Sequence, residues 1–159
     1  MKILRFSEVK RGTLFRLLLD AYSKSKELTK YFRNSWREFD SFIFDNLSFM
    51  DDCGFVSLDN GNIIGFMSWD PRNMPISVEI GHNCIAENFK GRGKGLEQLR
   101  LGLETIVNLK PSKIVVKTGN IEFFKPAQKM YTSVGFIMKS ICVKKDSLVL
   151  EVVEYELLL

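Results

Sequence analysis

No stretch of the chain approaches the roughly 18 uninterrupted apolar residues that a membrane-crossing helix requires. Met1 to Arg11 is too charged and too short of apolar residues for a signal peptide, so a soluble, cytoplasmic protein with no membrane partner is expected. Cysteine is scarce: Cys53, Cys84 and Cys142 are odd in number, widely spaced and without C-x-x-C or Cys/His ligand spacing. That pattern predicts reduced, partly buried thiols and argues against a disulfide framework or a metal site. Linkers, internal repeats and low-complexity segments are missing, and 159 residues suit one domain over 1–159. Acid is in mild deficit, 19 Asp and Glu against 23 Lys and Arg, a net charge of +4 that favours anionic ligands. No RNA-binding aromatic signature or helix-turn-helix pattern accompanies it, so nucleic acid is not an expected partner.

What the chain does have is a glycine-rich stretch, Asn88 to Leu99, reading N-F-K-G-R-G-K-G-L-E-Q-L between a predicted strand and a predicted amphipathic helix. Glycines let backbone N–H groups converge on one point, and the first turn of a helix adds unpaired donors and the positive end of the dipole. Four cations, Lys90, Arg92, Lys94 and Arg100, sit in or beside the loop. The junction therefore predicts a phosphorylated ligand. It is not a mononucleotide P-loop, because no Ser or Thr follows Lys94, and it is not a dinucleotide fingerprint, because Leu96 or Gln98 stands where the third glycine belongs. What remains is Lys90-x-x-Gly93-x-Gly95.

Periodicity gives the order of elements. Lys2 to Phe6 reads as a strand, and Ser7 as the cap of a helix using Phe15, Leu18, Leu19 and Tyr22. A longer helix carries Leu28, Tyr31, Phe32, Trp36, Phe39, Ile43 and Leu47 on one stripe. Gly54–Leu58 and Ile63–Trp69 read as strands joined by Asp59-Asn60-Gly61, a strong hairpin signal. After Pro71 and Pro75, a strand over Ile76–Ala86 leads into the glycine loop and a helix marked by Leu96, Leu99, Leu103 and Ile106. Lys113–Thr118 is a β-branched strand, Pro126 starts a helix, and Phe136–Val143 with Val149–Leu157 form a hairpin turning near Lys145-Asp146-Ser147.

Two segments together resemble a known family. The glycine pattern resembles the [QR]-x-x-G-x-[GA] pyrophosphate loop of the GNAT acetyltransferase superfamily, with Lys90 in place of Gln or Arg. Pro126 to Phe136, P-A-Q-K-M-Y-T-S-V-G-F, is similar to that family's A-x-x-[LM]-Y-x-x-x-G-F signature. The family usually carries Asn three residues before that alanine, where Phe124 stands here, and Asn120 is the candidate substitute. The resemblance implies a mixed α/β fold with a mostly antiparallel central sheet, splayed between its fourth and fifth strands, and helices on both faces. It implies acetyl-CoA as cofactor and coenzyme A as product. The pantetheine arm would lie along the backbone of Cys84, Ile85 and Ala86, and the pyrophosphate on Lys90, Gly91, Arg92, Gly93, Lys94, Gly95 and Leu96.

The implied chemistry is acyl transfer from a thioester to a primary amine in a ternary complex. Tyr131 is the acid that the resemblance implies, although its spacing alone would suit a core tyrosine. The candidate proton acceptor is Glu79, in phase with Asn83 and Ile85 on the fourth strand, and the alternative for it is a partly solvated strand carboxylate. His82, the only histidine, has a suitable intrinsic pKa but shares the phase of the apolar residues, which favours a core or rim position. A water chain is the third option. Tyr31, Trp36 and Trp69 are candidates for an acceptor pocket, against a reading of simple core packing. Asp51, Asp52, Glu38 and Asp40 are acids that could attract an amine. Two other classes stay open: a noncatalytic acyl-CoA-binding regulatory domain, and a nucleic-acid module suggested only by the basic balance. The tail Leu157-Leu158-Leu159 is a candidate surface for a homodimer.

Overall fold

Where the apolar period changes from about four to two, the backbone changes from helix to strand. The computed structural model describes residues 1–145 and 148–159, and the turn expected near Lys145-Asp146-Ser147 lies outside the described residues. In chain order the elements are β1 Lys2–Leu4, α1 Thr13–Ala21, α2 Lys26–Asp45, α3 Leu47–Met50, β2 Gly54–Asp59, β3 Asn62–Asp70, β4 Ser77–Ile85, α4 Lys94–Val107, β5 Lys113–Gly119, α5 Lys125–Ser133, β6 Ile137–Lys145 and β7 Val149–Leu158. The strands hydrogen-bond in the order β1-β2-β3-β4-β5-β7-β6; β4 and β5 run parallel, and the β1–β2, β2–β3, β5–β7 and β6–β7 pairs are antiparallel. This is a mixed α/β fold on a mostly antiparallel sheet.

The chain divides into two compact units, Met1–Trp69 with His82–Gly102, and Asp70–Gly81 with Leu103–Leu159. In the first, α1 and α2 bury Leu14, Leu17, Leu18, Ala21, Trp36 and Ile43 with Val56, Phe66 and Cys84 of the strands. The helices begin differently from expectation. Ser7 lies in a 3-10 turn over Phe6–Glu8, and α1 starts at Thr13. Its cap comes from another helix: buried Asp40 of α2 accepts from Gly12 N–H at 2.8 Å and Phe15 N–H at 3.1 Å. Ser25 caps α2, accepting from Leu28 N–H at 3.4 Å. The apolar stripe expected to run to Leu47 breaks at Asn46, whose side chain donates to the Phe42 carbonyl, and Leu47 opens the separate α3. Between β2 and β3, Asn60 and Gly61 both have positive φ and Asp59 pairs with Asn62, a two-residue turn of the type that matches strand twist.

In the second unit, β4 supplies only its first half. Its ladder with β5 runs from Ser77 opposite Lys113 to Ile80 opposite Val116. Ile114 and Val116 of β5 and Val153 and Tyr155 of β7 are buried, as are Tyr131 and Phe136. Helix α5 carries proline in its first turn and stops at Gly135, φ +100°, with Phe136 N–H returning to the Tyr131 carbonyl at 3.2 Å. Leu158 and Leu159 are exposed. No described helix is long and apolar enough to cross a membrane.

Candidate functional site

The glycine loop is exposed from Gly91 to Gly93. Gly91 and Gly93 sit at φ +71° and +76°, a backbone region that side chains disfavour, and this left-handed geometry turns successive amides toward one side. The first α4 bond is Glu97 N–H to the Gly93 carbonyl at 3.0 Å, so the amides of Lys94, Gly95 and Leu96 precede any intrahelical acceptor. An anion placed there meets three donors and the positive end of a 14-residue helix.

Two of the four expected cations are directed elsewhere. The Lys94 ammonium lies 3.0 Å from Asp59 and 3.4 Å from Glu97, which hold its pKa above the usual lysine range. Lys90 donates to the Ala21 carbonyl at the end of α1 and sits 2.9 Å from Glu87. Glu87 also takes Lys24 at 2.6 Å, and its own amide donates to Asp20 at 2.8 Å. These contacts fasten the start of the loop to the end of α1. Arg92, exposed and over the Phe89 ring at 5.9 Å, and exposed Arg100 are the other two cations of the cluster.

The last residues of β4 lead into this loop. Ala86 N–H donates to the Ile64 carbonyl of β3 at 2.8 Å; because amides alternate along a strand, the Ile85 N–H faces the opposite edge. Cys84 is buried, its thiol pushed up to about 12 by desolvation and directed at the Leu17 carbonyl, so this residue offers backbone and not a nucleophile. Behind it lies a residue the motif reading passed over. Gln98 of α4 is fully buried, and its Nε2 donates to Asn83 Oδ1 at 2.6 Å, the Phe66 carbonyl at 2.9 Å and the Cys84 carbonyl at 3.3 Å. Asn83 in turn donates from Nδ2 to the Gly95 carbonyl at 3.3 Å. No local signal in the sequence marks Gln98, because the glycine its carboxamide packs against is Gly65 of β3, 33 positions away, where a Cβ would lie 3.0 Å from Oε1.

His82 stands at the edge of the aromatic cluster, 4.6 Å from the Phe39 ring and 5.6 Å from Phe66. Burial alone lowers its pKa to about 4, so it is neutral and a weak base near pH 7. Trp36 is buried against Tyr22, 4.7 Å away, and Phe32, 5.8 Å away; this is core packing. Trp69 is likewise buried, at 6.2 Å from Phe55, while Tyr31 is half-buried against Phe32. Asp40 caps α1 and is withdrawn from any role in attracting an amine.

In the second unit, Tyr131 is buried beside Phe136 at 5.7 Å and Tyr155 at 6.4 Å. Desolvation raises its hydroxyl pKa well above the ordinary tyrosine value, so the group is protonated at neutral pH. Glu79 is half-exposed and ion-paired with Lys117 at 2.9 Å. Asn120 is engaged throughout: its Nδ2 donates to Glu151 at 2.8 Å, and its Oδ1 accepts from Lys125 at 3.1 Å and Gln128 at 3.4 Å. The segment before α5 is thus a polar clamp, completed by buried Gln128 donating to the Gly119 carbonyl at 2.8 Å. Of the cysteines, Cys53 is buried but Cys142 is exposed, contrary to the expectation of partial burial for all three.

No protein-family model and no curated protein matches the chain. Solved structures do. A ribosomal-protein-alanine N-acetyltransferase from Brucella melitensis superposes with a TM-score of 0.78 over 100% of both chains at 16% identity. A candidate acetyltransferase of the GNAT family from Desulfovibrio desulfuricans superposes with a TM-score of 0.76 over 99% of this chain and 98% of its own at 12% identity. The fold is therefore that of the GNAT acetyltransferases. An IAA acetyltransferase from Bacillus cereus superposes at a TM-score of 0.66 and 22% identity, covering 99% of each chain. A candidate acetyltransferase of Salmonella typhimurium, solved with its cofactor acetyl-CoA, gives 0.76 at 13% identity over 99% of this chain and 92% of its own. The glycine loop and α4 are thus carried on a GNAT fold.

Proposed function

We propose that the chain is a GNAT-family N-acetyltransferase, a single catalytic domain over 1–159 that transfers an acetyl group from acetyl-CoA to a primary amine. The observation that carries this is the glycine loop leading into α4: exposed, left-handed Gly91 and Gly93 followed by three amides without intrahelical acceptors. A diphosphate fits that donor set, and the acetyl-CoA reported with the Salmonella protein is a molecule of that kind. Bound acetyl-CoA supplies a thioester whose acyl group an amine takes, releasing the thiol. Lys90 to Leu96 hold the pyrophosphate by backbone, with Arg92 the side chain that adds charge. Cys84 to Ala86 offer backbone to the amide-rich arm, and the Ile85 N–H is the candidate donor to the acyl oxygen.

For Tyr131, the raised pKa of its buried hydroxyl supports hydrogen bonding over full proton transfer. A hydroxyl whose pKa lies above the usual 10 or so does not hand its proton fully to a thiolate whose conjugate thiol titrates near about 8.5. Tyr131 therefore acts as a hydrogen-bond donor to the leaving sulfur. Glu79 is the proposed proton acceptor, ion-paired with Lys117 at 2.9 Å and reached through water. A second reading has a specific observation behind it: Glu79 is paired and His82 is a weak base, the state expected of a noncatalytic acyl-CoA-binding domain.

The deciding experiment measures thiol release from acetyl-CoA across a panel of amines, alongside thermal protection by coenzyme A. Turnover with at least one amine supports the enzyme; protection without turnover on any amine supports the binding domain. Absence of both overturns each reading. A ligand at 100 times its Kd stabilises by about 2.7 kcal/mol, which is readily measured.

A further inference from the structure

Two side-chain amides, neither of which belongs to the glycine motif, tie the start of α4 to the strands beneath it. Gln98 Nε2 faces three acceptors, and two of them, the Phe66 and Cys84 carbonyls, are backbone oxygens, so the carboxamide has one allowed orientation. The Gly95 carbonyl fixes Asn83 in the same way, since only Nδ2 can face it. A continuous chain of bonds follows: the Phe66 carbonyl of β3, Gln98, Asn83 of β4, and the Gly95 carbonyl in the first turn of α4. Gln98 Oε1 is left buried without a partner, a cost that an apolar side chain of the same length would not incur. Nor is there slack around it: a Cβ at Gly65 would lie 2.2 Å from the Cys84 carbonyl oxygen and 3.0 Å from Gln98 Oε1.

A half-satisfied buried amide is a poor device for stability and a good one for fixing geometry. The geometry it fixes is the rotation and height of the first α4 turn, whose Lys94, Gly95 and Leu96 amides must point at one place to hold an anion. We infer that Gln98 and Asn83 are positioning residues for the diphosphate site, and that they set the affinity of the loop for the diphosphate without touching it. This rests on the function proposed above and extends it to residues outside the loop.

The test compares two ligands that share the pantetheine arm, coenzyme A and pantetheine itself, which lacks the diphosphate. Calorimetric titrations are made on the wild type, Gln98→Met and Asn83→Asp. Gln98→Met keeps length and removes the donors. Asn83→Asp keeps an oxygen for Gln98 and replaces the donor facing Gly95 with an acceptor. The expected result is that the preference for coenzyme A over pantetheine falls about tenfold in both variants. A merely structural role weakens both ligands alike and leaves the ratio at the wild-type value, which overturns the inference. Should Gln98→Met fail to fold, Asn83→Asp at a half-exposed position decides alone. A wild type that binds coenzyme A while Asn83→Asp keeps the same ratio removes this inference and leaves the proposed function standing. A wild type that binds no coenzyme A removes both.

Discussion

At the residue scale, burial decides what each titratable candidate can do. Tyr131 keeps its proton because ionisation would place charge among Phe136 and Tyr155. Tyr131→Phe is expected to lower kcat about 10²-fold, the order of loss for one transition-state donor, while the Kd for coenzyme A stays within about twofold. The check is steady-state turnover beside titration. His82 responds to pH in the opposite sense from a paired histidine. Its folded pKa of about 4 lies below the ordinary histidine value of 6.5, so between those values the unfolded chain binds more protons. Stability is therefore full above about pH 6.5 and falls as the pH drops toward 4, and denaturant titrations of His82→Leu should show a flatter profile across that window. The aromatic phase of His82 was legible in the sequence. The ion pair on Glu79 was not, because Lys117 lies 38 positions away on a strand whose partner only the fold defines.

At the scale of elements, the caps separate what is local from what is not. Ser25 could be read as a cap because its donor, Leu28, is three residues on. The start of α1 could not, because Asp40 reaches Gly12 and Phe15 from 28 and 25 positions away. Asp40→Ala removes two bonds from a buried carboxylate and strands the amides they satisfied. A loss of about 2 kcal/mol follows. In a chain of this length that amounts to a Tm lower by about 4–8 °C in calorimetry, with coenzyme A binding kept in the folded fraction. The glycine loop was legible for the converse reason: positive φ at Gly91 and Gly93 is a local demand, written into residue type. Its charges were less so. Lys90 and Lys94 belong to the motif by position, yet their ammonium groups serve Ala21, Glu87, Asp59 and Glu97.

For the whole molecule, element order was readable from period changes and turn residues, and the chain superposes on solved acetyltransferases at 13–22% identity. Burial by compartment was less readable: Cys142 looks like a core cysteine between Ile141 and Val143 but lies on β6, exposed. One thiol should therefore react with an aromatic disulfide reagent in the native protein, and three after unfolding, the two buried ones waiting on the opening of the core. Any thiol-release assay needs that native equivalent subtracted, or Cys142→Ser in its place.

The two units are each made of two separate lengths of chain, and the boundary is crossed three times, at the end of β3, within β4 and within α4. No single cut releases either one whole. A truncation after Gly102 would leave Ser77 to Ile80 without the β5 strand they pair with, and a gene fragment ending there encodes an open strand edge prone to aggregate. Recombining the chain with a relative at any one of these points takes the two lengths of at least one unit from different parents.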